Sequence, residues 1–584
     1  MTAIRKLAII GVGPRGGYAL ERLIKELVEQ NKLFNIQISL FEATSNFGNG
    51  QIYDTKQVLS NWINITERIL ELEERQRIQN KGLQINSFPS YHQWIQKDYK
   101  SIAKVEFDIY PPRAKVGQYL FKRFQSLIDP LIKSKIVTLH KELVKEIRFI
   151  DHEKLELWVD EHSHEVFDEV LLTIGHQPTK LSNQISDWEN YASGHNNLDL
   201  FKSAYPVKDY LHSKNLNNES IIAIRGFGLA MIDVARAIAE RFGSFVIKDK
   251  HNRACAYQIE QEIKTIIIPF SLDGLPPAPK PLNAKIDETF KVSALSISIF
   301  EKEIGNKKIQ KEAKSPDFLI KSFARIAVDI YSDLAKDNKL QVPSNKELEK
   351  LICRWLKDQN IEHTLFTPLK QAAEKSMRDF VAMATGYLPP SLDYCIGQVW
   401  RHCQPTIYKA LSYNKCSDQV FAEIIKLDES TKRYSYGPPV ESIQQLLALL
   451  DAGFLNLDLV DDPDIELTNQ GWSLEKSSNQ IIATIMIDSV VDAPKIKSVS
   501  SSIVKQLLAD DLMNVVHDDL GVATDEYGYL KLKDKKNKIP IALLGRLAKG
   551  TVIGVDAILE CFGSRPREWA KQAANNHIDW LDKK

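Results

Sequence analysis

Gly11, Gly13 and Gly16, with Pro14 and Arg15 between them, are the residues whose types and spacing most directly imply chemistry. They follow the apolar run Lys6 to Gly11 and precede apolar positions at Tyr18, Leu20, Leu23, Ile24 and Leu27, a strand, turn and helix in succession. Gly11 permits the tight turn, Gly13 lets backbone approach a pyrophosphate, and Gly16 lets the helix close on the strand. An anion there meets the unpaired N–H groups and positive dipole end of the helix. A second strand, Asn35 to Phe41, ends in Glu42, 26 residues beyond Gly16, where a carboxylate could accept hydrogen bonds from an adenosine ribose. The pattern predicts a dinucleotide site; standing alone, Glu42 would be an ordinary solvated acid.

The arrangement recurs. Ile221 to Arg225, Gly226-Phe227-Gly228 and a helical pattern through Val234 begin a second strand, turn and helix, 215 residues after the first. Its third position is Met231 rather than Gly or Ala, so nucleotide binding and a retained fold with a degenerate site are both open readings. Beyond the next strand, Thr265 to Ile268, comes Ser271-Leu272-Asp273-Gly274.

Elements of this kind need cores, and 584 residues at 43% hydrophobic content can build two or three. Lys plus Arg and Asp plus Glu each number 76, so no net field draws the molecule to nucleic acid or an anionic membrane, and a small-molecule partner is expected. The start reads straight into a strand without a signal segment, and no run of about 18 apolar residues occurs. A cytoplasmic protein is the expectation; oligomeric state is not legible. The cysteines, Cys255, Cys353, Cys395, Cys403, Cys416 and Cys561, form no CxxC pair or metal-ligand spacing, which argues against a dithiol relay and predicts no metal site.

Further segments carry a resemblance. Phe47-Gly48-Asn49-Gly50-Gln51-Ile52-Tyr53-Asp54 with Leu59-Ser60-Asn61, the pair Phe88 to Trp94 and Tyr110-Pro111-Pro112-Arg113, the run Val170 to Pro178 with Gly175, and Asp379-Phe380-Val381-Ala382-Met383-Ala384-Thr385-Gly386-Tyr387 together resemble the two-dinucleotide-domain FAD/NAD(P)-binding family related to N-hydroxylating and other flavin monooxygenases. The resemblance implies that Gly48 and Gly50 pass the flavin and that Asn61 contacts the isoalloxazine; otherwise Asn61 is a loop residue bonded to its own backbone. Arg113, at a helix start, faces a phosphate or the flavin edge, or is a surface cation. His92 reads as a packed or exposed histidine. Gly175 marks the exit from the first domain. Gly386 ends an ATGY-like buried strand that crosses back to it.

The resemblance also implies that Leu272 stands where an Arg would bind a 2′-phosphate, that Asp273 repels one and that Lys280 could compensate. Near the end, a strand over Ile539 to Leu544 precedes Gly545-Arg546 and Gly550-Thr551, where the family places a helix N-terminus against the flavin; Arg546 occupies the place of a customary acid. The expected fold is α/β, two Rossmann-like dinucleotide-binding domains with a helical or mixed insertion. The expected segments are 1–185 for FAD, 186–389 for NAD(P) with an insertion, 390–535 mixed and mainly helical with Trp400 to Pro405 and Tyr436 to Pro439 as possible cavity lining, and 536–584 returning to the FAD domain. The implied function is an FAD-dependent, NADH- or NADPH-using oxidoreductase, a monooxygenase first, on an unidentified small molecule. The alternatives are a noncatalytic nucleotide-binding regulator, favoured by Met231, Leu272 and Arg546, and a flavin dehydrogenase. No catalytic residue is assigned.

Overall fold

The computed structural model describes residues 3–80, 82–151, 154–160, 162–260, 263–491, 495–533, 539–555 and 557–584. Its first sheet is built mainly from short apolar runs, buried on both faces except in the edge strand, as parallel strands covered on both sides require. In chain order its strands are β1 (Arg5–Ile10), β2 (Ile36–Phe41) and β3 (Val137–His140); β4 (Val144–Asp151), β5 (Lys154–Val159) and β6 (His162–Phe167) then form a separate antiparallel meander before β7 (Glu169–Leu172) returns to the first sheet. The second sheet uses β8 (Asp199–Phe201), β9 (Ile221–Arg225), β10 (Ile266–Phe270) and β11 (Ile485–Asp488); β12 (Ile541–Leu543) returns to the first.

The first sheet has the order β12-β7-β1-β2-β3 and all its pairs are parallel, with Ile9 between Leu40 and Leu171. All five carboxyl ends therefore face one edge, and the strand order reverses between β1 and β7, where a ligand crevice forms in such sheets. Helix α1 (Pro14–Glu29) covers one face, with α2 (Arg113–Lys133) also packed on it. The second sheet has the order β8-β11-β9-β10, also parallel, with Ile224 between Ile487 and Pro269 and helix α3 (Leu229–Phe242) following β9. The two expected α/β cores are present.

Helices within 294–451 share one continuous core with α3: Met231 and Ile238 join Phe323, Trp400 and Leu446. No change of core falls at residue 389 or 390. The segment Asp379 to Tyr387 is not a strand. It is the end of α4 (Ala373–Ala384), where Gly386 at φ +78° stops the helix and Tyr387 N–H reaches back to the Ala382 carbonyl at 2.8 Å. The buried positions Ala373, Ser376, Met377, Phe380, Val381 and Ala384 follow helical spacing, which decides the matter physically. The last strand of the second sheet is instead β11, fed by antiparallel strands Asp464–Leu467, Trp472–Lys476 and Asn479–Ala483. The chain then rejoins the first unit before residue 536: helix Ser502–Ala509 lies on β4, Gln506 exchanging hydrogen bonds with the Ile147 backbone at 3.0 and 2.9 Å. Helix α5 (Ser564–Asp582) closes the fold against α1, burying Trp569.

Candidate functional site

At the carboxyl edge of the first sheet, Gly11 turns the chain at φ +85°, and a side chain there would press on the Thr173 carbonyl at 2.7 Å. Gly16 carries the same constraint from the helix side, its Cβ position lying 2.5 Å from the Gly11 carbonyl oxygen. Gly13 is different. It faces Gly50 across a gap, backbone to backbone, so two glycines leave a cradle without side chains. The start of α1 has Gly13 as N-cap, no side-chain cap and no acid in its first turn, so its leading N–H groups are available to an anion. Glu42 is buried beside this turn: Oε2 accepts from Val12 N–H at 2.9 Å and Oε1 from Thr44 N–H at 3.0 Å. A carboxylate has further lone pairs, so these bonds place it without exhausting it. The loop after β2 is tied down by Gly48 N–H to the Val12 carbonyl at 2.6 Å, and Gly48 packs on Phe124 of α2.

The second turn repeats two backbone bonds of the first. Gly11 N–H donates to the Phe41 carbonyl and Gly226 N–H to that of Phe270; Thr173 N–H donates to Ile10 and Ser489 N–H to Arg225. Gly226, at φ +108°, presses on Ser489 as Gly11 presses on Thr173. Gly228 caps α3 without a side-chain bond, again with no acid in the first turn, and nothing crowds its Cβ position. Met231 is accommodated by full burial in the insertion core. This register makes Ser271 the counterpart of Glu42. Leu272 beside it is 87% exposed, and Asp273 is ion-paired with Arg433. Asp273 is therefore not a bare repelling charge. Beside it opens a cavity of about 850 Å³ lined also by Leu275, Lys357 and Tyr434.

Other expected residues sort themselves by geometry. Asn61 is fully buried; its amide donates to Gln57 at 3.1 Å, while Oδ1 has no partner, nor has the buried Ser60 Oγ. It does not bond its own backbone. Arg113 begins α2 as expected, but its guanidinium turns to the second unit, 3.4 Å from both Asp233 Oδ2 and the Tyr205 hydroxyl. Arg15 is buried and donates to the Val555 carbonyl at 2.8 Å, next to Gly545 at φ +114°. Gly175, at φ +64°, leaves open space after β7, where Arg546 Nη1 lies 2.8 Å from the His176 ring.

Gly550 and Thr551 do not begin a helix. Gly550 packs on the Val522 carbonyl and Thr551 Oγ1 accepts from Thr524 N–H at 3.1 Å, because a short 3-10 turn, Arg546–Ala548, and a further turn through Thr551 follow β12. Gly386, at the end of α4, has Ile286 as its nearest neighbour on the Cβ side and takes no part in either glycine turn. Lys280 cannot compensate at Leu272: it is buried and donates to the Asn64 and Gly437 carbonyls at 2.5 and 2.8 Å. His92 is packed, its Nε2 2.6 Å from the Glu67 carbonyl. Trp400 is wholly buried and donates to Asp428 at 2.9 Å, so that stretch is packing; Pro439 lines only a 160 Å³ cavity.

Residues 8–177 match the family model described as FAD-NAD(P)-binding. The match lies within the first unit and ends before the second glycine turn. Among curated proteins none matches the sequence. Similar solved structures include OTEMO in complex with FAD and NADP, at 10% identity over 100% of this chain and 86% of that one, TM-score 0.44. Another is L-lysine 6-monooxygenase from Pseudomonas syringae, at 12% identity over 98% and 99%, TM-score 0.44. A cyclohexanone monooxygenase mutant from Rhodococcus sp. Phi1 bound to NADP+ gives 11% identity over 99% and 87%, TM-score 0.44. Among the described residues no helix is long and apolar enough to cross a membrane.

The sequence reading missed Thr173 and Ser489, whose hydroxyls bond the Gly11 and Arg225 carbonyls and hold each turn against its third strand. A Thr or Ser just after a buried strand is too common to single out. It also missed Asp233, Tyr205 and Arg236, which meet Arg113 and Trp62 between the units.

Proposed function

We propose that the chain is an FAD-dependent oxidoreductase that uses NADH or NADPH, with a flavin monooxygenase acting on a small molecule as the leading form. The observation that carries the reading is the first glycine turn, matched within the FAD-NAD(P)-binding segment and completed by Glu42. Gly13 and Gly50 would admit the pyrophosphate, the uncapped start of α1 would donate N–H groups to it, and Glu42 would accept from the ribose. Asn61 Oδ1 and Ser60 Oγ are the unpartnered buried polar atoms suited to the edge of the ring system. When bound, the flavin supplies hydride acceptance from the nicotinamide and electron delivery to oxygen or an organic acceptor. The second turn, with Gly226 and Gly228, would dock the reductant. Anaerobic titration with NADH and NADPH, followed by flavin absorbance, tests this: bleaching supports the enzyme.

The reading of a noncatalytic nucleotide-binding regulator is favoured by Ser271 in the place of an acid and Met231 in the place of the third small residue. Full FAD occupancy with no reduction by either nucleotide would select it.

A further inference from the structure

We propose that His140, Glu142 and His164 form a binding site for a divalent transition ion of zinc type, separate from both glycine turns. One ligand atom from each lies within 4.8 Å of the other two. His140 ends β3, and Glu142 follows two residues on, in the connection to β4. His164 comes across from β6. Three of their polar atoms are buried without a hydrogen-bond partner: His140 Nε2, Glu142 Oε2 and His164 Nδ1. Leaving that many polar atoms unpaired is costly, and a shared ion is the ligand that satisfies two imidazoles and a carboxylate together.

The surroundings hold the imidazoles in place. Phe41 stacks on His140 at 4.6 Å between centroids, 15° from parallel, and meets His164 edge-on at 5.1 Å. The two histidines meet edge to face at 4.7 Å, and His164 Nε2 lies 3.5 Å from Glu142 Oε2. Tetrahedral bonds of about 2.1 Å place ligand atoms roughly 3.4 Å apart, so an ion would draw these groups about an ångström closer, within reach of rotamer adjustment. Two nitrogens and a carboxylate oxygen suit Zn(II) and leave a fourth position for water. The site also has a structural consequence. The His140 carbonyl accepts the Glu42 N–H at 3.0 Å, so an ion joining β3 to β6 would fix the strand end that presents Glu42.

The test uses full-length protein stripped with chelator and titrated with Co(II), then Zn(II), with metal content measured after dialysis. One equivalent of Co(II) with visible d–d bands, displaced by Zn(II), is expected, together with a higher Tm on Zn(II) addition. His140→Gln, Glu142→Gln and His164→Gln should each weaken Co(II) binding by roughly a hundredfold, whereas exposed His162→Gln on the same strand should not. Circular dichroism confirms that each variant is folded, and Glu142→Gln, near-isosteric and at a partly exposed position, keeps the test decisive should a histidine variant fail to fold. No stoichiometric uptake, equal affinity in the Glu142→Gln protein, or thiolate charge-transfer bands that mark capture by cysteine would each overturn the site.

Discussion

Of the three glycines in the first turn, Gly13 alone has room for a side chain: its Cβ position lies 3.6 Å from the Gly50 Cα, ordinary contact, whereas Gly11 and Gly16 would collide with backbone. Gly13→Asp should therefore fold while placing a carboxylate in the anion cradle, and the purified variant is expected to carry no FAD. A folded, fully yellow variant would refute this assignment. At the second turn, Leu272→Arg adds a cation at an exposed position beside the neutral Ser271. It should move the NADPH-to-NADH efficiency ratio upward by roughly tenfold, the worth of one charge-assisted pair. An unmoved ratio would mean that this loop does not approach the adenosine. The glycines and Glu42 were legible because strand, turn, helix and acid fall at readable spacings. Ser271 was legible as the start of the loop after the strand, but not as the counterpart of Glu42, because a hairpin, Gly243–Ile247 with Cys255–Ile259, lengthens the second unit between its helix and that strand.

At the scale of elements, α2 and α3 meet through a buried charge cluster. Asp233 of α3 lies 3.4 Å from Arg113 and 4.0 Å from Arg236, and accepts from the Tyr205 hydroxyl at 2.5 Å. Burial pushes the Asp233 carboxyl above the usual carboxylate range, while Arg113 and Arg236 pull it back. Arg236 lies over the Trp62 ring at 3.6 Å. Asp233→Asn keeps the size and removes the one negative charge among these five side chains, so the buried Arg236 and the partly buried Arg113 guanidinium groups remain without a counter-charge. The expected loss is about 3 kcal/mol in urea unfolding, the scale for breaking a buried pair. A change under about 0.5 kcal/mol would show that water screens the cluster. Nothing in the sequence announces it, since Arg113 and Asp233 lie 120 residues apart and converge only when the units pack. The ATGY-like segment failed for the opposite reason: four letters suggested a strand while the spacing of Met377, Phe380, Val381 and Ala384 already carried a helix.

For the whole molecule, Lys280 is the group that reports on how the parts are joined. Its amine donates to Asn64 in the first unit and to Gly437 in the helical body, so it spans the junction between them. Burial, with repulsion from Arg401, lowers its pKa from 10.5 to about 7, against a smaller opposing pull from Asp287. The sign follows. Between pH 7 and about 10 the unfolded chain holds a proton on this amine that the folded protein has released, so the unfolded state binds more protons and stability rises with pH. Below pH 7 the amine is charged in both states and the cost of burying that charge is fully present; above the unfolded pKa it is gone. A neutral amine still donates two hydrogen bonds, enough for both carbonyls, so the junction is not opened by deprotonation. Lys280→Met removes the titration at the expense of those two bonds. Urea unfolding of both proteins at pH 7.5, 8.5 and 9.5 should show the wild type gaining up to about 1.4 kcal/mol per pH unit relative to the variant, with other titrating groups cancelling in the difference. Parallel pH profiles would mean that the amine stays charged in the folded protein and that the junction admits water.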